Sequence, residues 1–389
     1  MALVPFSYNA RSLFVRRSAT LLTIVGIGAT VAVLAGVLAL QQGFETLFTS
    51  SGRADVAIFL RPGATNESDS LFERERAEIL IKSRSEIALD ERGAPLAAAE
   101  RYLAIRRRKL DGGETNVPIR GIAPQSLVLH SDVIEITAGR PIVFGADEVM
   151  VGGALTQRIE NCRLGDVLVL NTTPFRVVGE FRSGGPFGSE IWGDSERIGE
   201  ALERPFLNRV VARLTSGTDI NALTASLEGD KRVPAKVLTE KAFFASQTQV
   251  LSGVLLFLGG FLALVMGAAA VLTGTNTMLA AIAARSHEIG ILASMGFRPA
   301  PIFFAFLLEA LLLGVLGGAL GCLMVLPLNG VRTGTTNFQT FTEVAFAFRV
   351  TPQVLTTAVL FAIALGLLGG AWPAWRAARM KPTEALRRG

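Results

Sequence analysis

Four long apolar stretches divide the chain. Residues 18–44, 242–284 and 350–375 contain no Asp, Glu, Lys or Arg, and residues 299–331 contain one, Glu309. A helix needs about 20 apolar residues to cross the hydrocarbon core of a bilayer. The pattern therefore predicts four transmembrane helices. Because the second stretch is too long for one span, we expect its helix to continue beyond the membrane.

The stretch between the first two spans is polar and predicts a large folded domain. Residues 45–241 hold 29 of the 33 acidic and 26 of the 38 basic residues, a net charge of −3, so the rest of the chain carries +8. Residues 167–170 and 175–182 predict two strands joined by a hairpin turn. Residues 68–83 and 219–228 predict helices that begin at Ser or Asp. This mixture favours an α+β fold, in two subdomains.

The short loops predict the orientation. Lys and Arg collect in the cytoplasmic loops of membrane proteins. The N-terminus, the loop between the second and third spans, and the tail carry ten basic residues together, whereas the loop 329–349 carries two. We therefore expect a multi-pass protein of the cytoplasmic (inner) membrane with both termini in the cytoplasm and the polar domain outside.

The predicted segments follow the chain in nine steps. They are a cytoplasmic N-terminus (1–17), transmembrane helix 1 (18–44), an extracytoplasmic α+β domain (45–245), transmembrane helix 2 (246–280), a cytoplasmic loop (281–299), transmembrane helix 3 (300–328), a short extracytoplasmic loop (329–351), transmembrane helix 4 (352–375) and a cytoplasmic tail (376–389).

Composition and motifs exclude several classes of function. Half of the residues are hydrophobic and only 18% are charged, which excludes a disordered chain and an ordinary soluble enzyme. None of the six lysines follows a glycine, so the GxxxxGK[ST] phosphate loop is absent, as are HExxH, CxxC and GxSxG. We expect no catalytic residue, no metal and no cofactor in this chain, and no nucleic-acid partner.

Three local features carry weaker predictions. The glycine-rich residues 184–188 predict a flexible loop, and Glu190 and Asp194 predict a surface loop in preference to an acid pair. Small residues four apart, such as Gly314 and Gly318, predict close helix packing, in a homodimer or in a helix pair that slides.

Glu309 is the one ionisable residue inside a predicted span, and such residues are functional candidates. Two interpretations stay open. Its carboxylate bonds polar groups of another helix and couples their movements, or it lies near the interface and is held by an interhelical hydrogen bond.

The cytoplasmic loop 284–299, ARSHEIGILASMGFRP, predicts a short amphipathic helix that ends at Gly296 and Pro299. Such a helix lies on the lipid surface or docks into a groove of a partner. The basic tail, with Trp372 and Trp375, predicts a second segment at the membrane surface.

The loop and the tail carry a family resemblance. ARSHEIGILASMGF resembles the R-x-x-EIG-I-L-x-A-x-G segment of the MacB/FtsX-like ABC transporter permease family, and PAWRAARMKPTEALR resembles the ending of that family. The first span and GRPIVFGADEVMVGG resemble further parts of it, and the order of one span, a large domain and three spans is the same.

The resemblance implies a permease without a fused ATPase. In this family the cytoplasmic loop forms the helix that seats in a separate ATPase subunit. The implied coupling residues are Arg285, His287, Glu288, Ile289, Gly290, Leu292, Met295 and Gly296, and the implied contacts of the tail are Arg376, Arg379, Pro382, Leu386 and Arg387. The implied partners are a cytosolic ABC ATPase that holds ATP and Mg²⁺, a second permease copy as a homodimer, a periplasmic adaptor or membrane-fusion protein, and membrane lipids.

The function implied by the resemblance is ATP-driven movement of the extracytoplasmic domain that exports or extracts a lipophilic compound, a lipid or lipoprotein, or a peptide. Two alternatives stay open: a non-transporting, FtsX-like regulator of a cell-wall hydrolase, and a membrane-anchored receptor or enzyme without any ATPase.

Overall fold

The computed structural model describes residues 17–49, 52–295, 298–336 and 343–380. The chain divides into two compact units. The membrane unit comprises Met1–Gly43, Ser252–Val331 and Ala347–Gly389, and the body unit comprises Phe44–Leu251 and Arg332–Phe346.

Four helices are long and apolar enough to cross a membrane among the nine α-helices in the described residues. The nine helices are α1 (Arg17–Thr49), α2 (Arg74–Ser83), α3 (Pro124–Leu129), α4 (Ser195–Ala201), α5 (Ile220–Glu228), α6 (Glu240–Ala283), α7 (Ser286–Ser294), α8 (Pro299–Val325) and α9 (Pro352–Ala378). The four long helices are α1, α6, α8 and α9. With its 44 residues, α6 is about 66 Å long at 1.5 Å per residue, more than twice the hydrocarbon thickness.

The body unit is built on a ten-stranded mixed sheet with the order β10-β1-β9-β2-β3-β8-β5-β7-β4, and β6 also pairs with β7. Its strands are β1 (Val56–Leu60), β2 (Ala97–Arg108), β3 (Glu114–Ile122), β4 (Ile134–Gly139), β5 (Glu148–Gly152), β6 (Val167–Leu170), β7 (Thr173–Ser183), β8 (Ile191–Asp194), β9 (Arg209–Arg213) and β10 (Lys236–Thr239). A separate pair, β11 (Arg332–Thr336) and β12 (Glu343–Ala347), lies between α8 and α9. The predicted fold class, four membrane helices with an α+β domain between the first two, is confirmed.

Several hydrophobic clusters hold the body unit together, and two of them are large. In one, α2 and α5 cover the end of the sheet that contains β1, β9 and β10, with Leu80 and Leu227 fully buried. In the other, β5, β6 and β7 pack with α4, and Phe175 and Ile198 are fully buried. The predicted hairpin is present, because Leu170 pairs with Thr173 across a two-residue turn.

Two local predictions are wrong. In each case a buried phenylalanine lies in a backbone conformation other than the predicted one. The helix predicted from residue 68 begins only at Arg74, because Phe72 pairs with Leu207 in extended conformation through two backbone hydrogen bonds. The predicted flexible loop at 184–188 is also wrong. Pro186–Ser189 forms a 3₁₀ turn whose Phe187 is fully buried, 5.3 Å from the ring centroid of Trp192.

The membrane unit packs its helices through glycines. A Cβ atom on Gly366 of α9 would lie 2.9 Å from the Cα of Gly314 on α8, and one on Gly321 would lie 2.7 Å from Cβ of Val31 on α1. Glycine allows such approach of helix backbones in lipid. These small residues therefore pack the helices of one chain against each other.

Candidate functional site

Helix α7 is a nine-residue helix in the loop between α6 and α8. It starts after a short turn in which Ser286 Oγ donates to the carbonyl of Ala283 at 2.9 Å. Near its end, Ser294 Oγ donates back to the carbonyl of Gly290 at 2.9 Å. Pro299 then sits in the first turn of α8, where a proline costs no helical hydrogen bond.

The two sides of α7 differ sharply in exposure. Ile289 and Gly290 are buried, and Ile289 packs with apolar residues of α6, α8 and α9, among them Met278, Phe306 and Ala374. The opposite side presents the exposed helix residues His287, Glu288 and Ile291 (42% exposed), and Met295 (64% exposed) follows directly after the end of the helix. This outward row is called the α7 outer face below.

The predicted apolar stripe is therefore divided between the two sides. Ile289 anchors the helix inward, and Met295 faces outward together with Ile291. The side chain of Leu292 and all of Gly296 lie outside the described residues.

An ion pair fastens the start of this helix to α8. Arg285 Nη1 lies 3.4 Å from Glu309 Oε2, and the two side chains are 16% and 8% exposed. A charge-assisted hydrogen bond of this kind joins the loop to the one ionisable residue of the third span. Arg285 and Glu309 were predicted separately, and the structure brings them together.

The end of α9 contributes a second surface beside α7. Ala374 and Ala377 are buried in the cluster that holds Ile289. On its other side, Arg376 stacks over Trp372 with 5.7 Å to the ring centroid, and Arg379 stacks over Trp375 at 4.6 Å. The remaining predicted tail residues, Pro382, Leu386 and Arg387, lie outside the described residues.

The body unit contains a buried charge network that the sequence does not predict. Arg120 Nε and Nη2 donate to Glu190 at 2.7 and 2.8 Å, Nη2 also donates to Glu67 at 3.0 Å, and Nη1 donates to Glu100 at 3.2 Å. Arg209 Nε donates to Glu100 at 2.8 Å, and its Nη1 donates to Glu67. These five side chains, called the buried charge network below, are at most 5% exposed.

The prediction of a surface loop at Glu190 and Asp194 is accordingly wrong. Glu190 is buried because Arg120 and the indole Nε1 of Trp192, which donates at 2.8 Å, satisfy its carboxylate. Asp194 is buried because it caps α4, accepting from the backbone N of Glu196 at 2.7 Å.

Two groups of the buried charge network, Glu100 and Arg120, have shifted pKa values that favour their charged forms. Burial alone would raise the pKa of Glu100, but the positive charges of Arg209 and Arg120 beside it outweigh burial and hold that pKa well below its usual value. Burial likewise works against the charge of Arg120, yet Glu190 and Glu67 raise its pKa well above the usual value. Glu100 and Arg120 are therefore both charged at neutral pH.

In the described part of the chain, no group of three or more His, Cys, Asp or Glu side chains is arranged to hold a metal ion. The fold and the site define a multi-pass membrane protein with a folded α+β domain between its first two helices and a short helix anchored at the ends of the other three.

Two family models match the chain in that order. A MacB-like periplasmic core domain matches residues 20–229, and an FtsX-like permease C-terminal domain matches residues 260–382. The first match alone covers more than half of the chain, and the chain belongs to the MacB/FtsX-like permease family, whose members work with an ABC ATPase.

The similar curated proteins are macrolide export ATP-binding/permease proteins named MacB. Those of Sodalis glossinidius and Escherichia coli are each 25% identical over 95% of this chain, and MacB 1 of Aeromonas hydrophila is 30% identical over 58% of it. The chain spans 58% of the length of the first two relatives.

Among solved structures, the periplasmic region of MacB from Actinobacillus actinomycetemcomitans is similar with a TM-score of 0.37 and 11% identity, covering 52% of this chain and 94% of that one. The extracellular domain of YknZ, a noncanonic ABC-type transporter from Gram-positive bacteria, is similar with a TM-score of 0.35 and 14% identity, covering 47% and 99%.

Proposed function

We propose that this chain is the membrane component of an ABC transporter, in which a separate ATPase drives movement of the body unit. In this arrangement α7 and both termini face the cytoplasm, and the body unit faces the outside. ATP and Mg²⁺ are held by the ATPase, and this chain performs no hydrolysis. Two copies of the chain form the complex with two ATPase subunits.

The observation that carries the proposal is the construction of α7. A helix that only lay on a lipid surface would place its apolar residues toward the membrane and its charges toward water. In α7 the apolar Ile289 is buried within protein, and Ile291 and Met295 stand exposed beside the charged Glu288. An exposed mixture of apolar and charged groups on a helix anchored by Ile289 fits a groove in a protein partner.

The anchoring of α7 supports a role in transmission. Ile289 packs against residues of α6, α8 and α9 at once, and Arg285 adds an ion pair to Glu309 of α8. Protein interiors are close-packed and deform little, so a push on the α7 outer face moves these three helices together. We infer that this push is the step by which ATP binding reaches the spans.

The spans favour a lever over a pore. The apolar stretches contain Glu309 as their one ionisable residue, and Arg285 neutralises it, which leaves no row of charges to carry a polar substrate. We therefore propose that the substrate is a lipophilic compound, a lipid or lipoprotein, or a peptide, which is handled at the outer face of the membrane. The names of the relatives, which specify macrolide export, fit the first of these classes.

The test is a photocrosslink from the α7 outer face. A photoreactive amino acid replaces Met295 (64% exposed) in the full chain in native membranes, and the crosslinked proteins are identified by mass spectrometry. The control carries the same group at Val128, which is 51% exposed in the body unit. We expect a protein with a phosphate-binding loop to crosslink from Met295 and not from Val128.

The other co-purified proteins separate the alternatives. An adaptor and an exported compound support transport, whereas a cell-wall hydrolase identifies a regulator of the FtsX type. A stoichiometric, folded complex that contains no ATPase would contradict the proposal and would favour a receptor.

Charge reversal gives an independent measure. Glu288→Lys should reduce co-purification of the ATPase at least tenfold, because a charged group in an interface contributes about 1.4 kcal/mol or more when it is paired. The matched control is Glu228→Lys at the end of α5 in the body unit, which should leave co-purification unchanged. Equal membrane levels of both variants show that neither misfolds, and full retention of the ATPase by Glu288→Lys would refute the assignment.

A further inference from the structure

The first turn of α6 meets the sheet of the body unit at a buried histidine. His130 follows α3 and is fully buried. Its Nε2 lies 3.7 Å from Glu100 Oε1 on β2, and its Nδ1 lies 3.9 Å from Oε1 of Glu240, the first residue of α6. Both distances are longer than a hydrogen bond, and these four buried atoms make no hydrogen bond to any described residue. The two carboxylates are also fully buried. These three side chains are called the His130 junction.

The geometry of the junction depends on the proton count of the ring. A neutral imidazole has one N–H donor and one nitrogen lone pair, whereas the imidazolium has two donors. Because a carboxylate faces each nitrogen, only the imidazolium donates on both sides, and the neutral ring turns a lone pair toward one of the two carboxylates. We propose that His130 is a proton-operated clasp, which fastens the first turn of α6 to the sheet when it is protonated and loosens it when it is neutral.

Acidic side chains outnumber basic ones around the His130 ring. Glu67, Glu100 and Glu190 outnumber Arg120 and Arg209 by one. Glu240 lies beside them. Burial raises the pKa of its carboxyl group, and the charges of His130 and Arg209 act in the opposite direction. Arg53, on the segment before β1, bonds Asp55 and Asp132 with its side chain, so its cation is already paired. The Glu100 carboxylate is ionised at neutral pH, as the low pKa of that group requires.

The hydrogen bonds of Glu240 and Lys241 to Arg53 leave the first turn of α6 sensitive to the contact between Glu240 and His130. Glu240 Oε2 accepts a hydrogen bond from the backbone N of Arg53 at 3.1 Å, and the backbone N of Lys241 donates to the carbonyl of Arg53 at 3.1 Å. One oxygen of Glu240 is therefore held by backbone, and the other faces His130. Loss of the proton releases the second oxygen while the first keeps the turn in place, so the change is a loosening and not an unfolding.

The histidine content of the chain gives the experiment a built-in reference. The chain has two histidines, His130 in the body unit and the exposed His287 on α7. The full chain, labelled with ¹³C/¹⁵N-histidine in nanodiscs, is titrated by NMR from about pH 5 to 8.5, which brackets the usual charge change of a histidine. The variant His287→Asn assigns the two signals. A His130 ring that keeps one protonation state throughout this range would overturn the proposal.

Hydrogen exchange then measures the clasp. Hydrogen bonds that involve a charged group differ from neutral ones by about one to two decades in equilibrium constant. At about pH 5.5 we expect the amides of residues 241–244 to exchange about 10- to 100-fold more slowly in the wild type than in His130→Gln, and at pH 8.5 equally fast. Comparison at each pH removes the intrinsic pH dependence of exchange.

A second variant keeps the proposal testable if His130→Gln fails to fold. Glu240→Gln keeps His130 and removes the charge that it holds, so its exchange should match wild type at pH 8.5 and lose the extra protection at pH 5.5. A wild-type protection ratio that is the same at both pH values would refute the clasp. The clasp operates within the body unit, so it stands or falls independently of the proposed ATPase coupling.

Discussion

Removal of Arg120 is the sharpest test of the buried charge network. Its guanidinium bonds Glu190 twice and also contacts Glu67 and Glu100. In Arg120→Met the stem is kept and the charge is lost, which leaves three buried carboxylates with Arg209 as their cation. Breaking a buried ion pair by removing one partner costs about 3–5 kcal/mol, because the other partner stays buried without its counter-charge.

The expected loss is large enough to see in a melting curve. For a unit of 150–250 residues, 1 kcal/mol shifts the melting temperature by about 2–4 °C, so Arg120→Met should melt about 6–20 °C below the wild type. Thermal unfolding of the full chain in detergent at pH 7.5, followed by fluorescence of the buried Trp192, measures the shift. The matched control is Arg182→Met, whose side chain is 73% exposed and pairs with an equally exposed Glu135. It should stay within about 0.5 kcal/mol of the wild type.

The pH dependence of the stability gives a second test of the same prediction. Since the folded pKa of Glu100 is depressed, its contribution to stability is present above its unfolded value, about 4.3, and is lost as pH falls through the folded value. Arg120→Met removes part of the depression, so Glu100 contributes less stability to lose below about pH 4.3, and the difference in melting temperature between the variant and the wild type should narrow there. A variant that melts within 2 °C of the control, with an unchanged acid limb, would refute the reasoning.

Three further predictions test other parts of the fold. Gly370→Val should lower the yield of folded protein in detergent several-fold, because a Cβ there would lie 2.1 Å from Cβ of Ala310, whereas Gly36→Val, with no atom within 4 Å, should have no such effect. Burial raises the pKa of the Cys162 thiol to about 11 from 9.0, so native chain at pH 8 should react with a maleimide at this residue about 100-fold more slowly than unfolded chain, by labelling and peptide mass spectrometry. Asp194→Ala removes the cap of α4 and should cost about 1–2 kcal/mol in the same thermal assay, with an unchanged melting temperature contradicting the capping role.

The membrane helices could be predicted from sequence because the bilayer imposes a single rule. Any helix that crosses hydrocarbon must be apolar for about 20 residues and must satisfy its backbone internally. The stretches at 18–44 and 350–375 obey that rule, and α1 and α9 cover them. The predicted continuation of the second helix also holds, because α6 extends from Glu240 to Ala283.

The buried charge network could not be predicted, since nothing in the local sequence marks a charge as buried. Glu67 and Arg209 are separated by 142 positions, and they meet because β9 runs beside β1 and β2 in the sheet. One member of the network, Glu190, does carry a partial signal in the sequence. Glu190 precedes the buried strand β8, and a carboxylate beside an apolar strand of a mixed sheet needs an internal cation. Only the strand order identifies that cation as Arg120.

The role of the charged residue Glu309 in its span depends on its ion-pair partner, Arg285. The sequence left open a coupling residue and a carboxylate near the interface, and the ion pair with Arg285, 24 positions earlier, gives both interpretations one physical basis. Residues 310–325 complete α8 after Glu309 and extend about 24 Å, which fills most of the roughly 30 Å hydrocarbon layer. Glu309 therefore lies toward one end of the apolar stretch, where an arginine from the neighbouring loop reaches it. Movement of α7 away from α8 would separate this ion pair, so the contact between Arg285 and Glu309 opposes independent movement of the two helices.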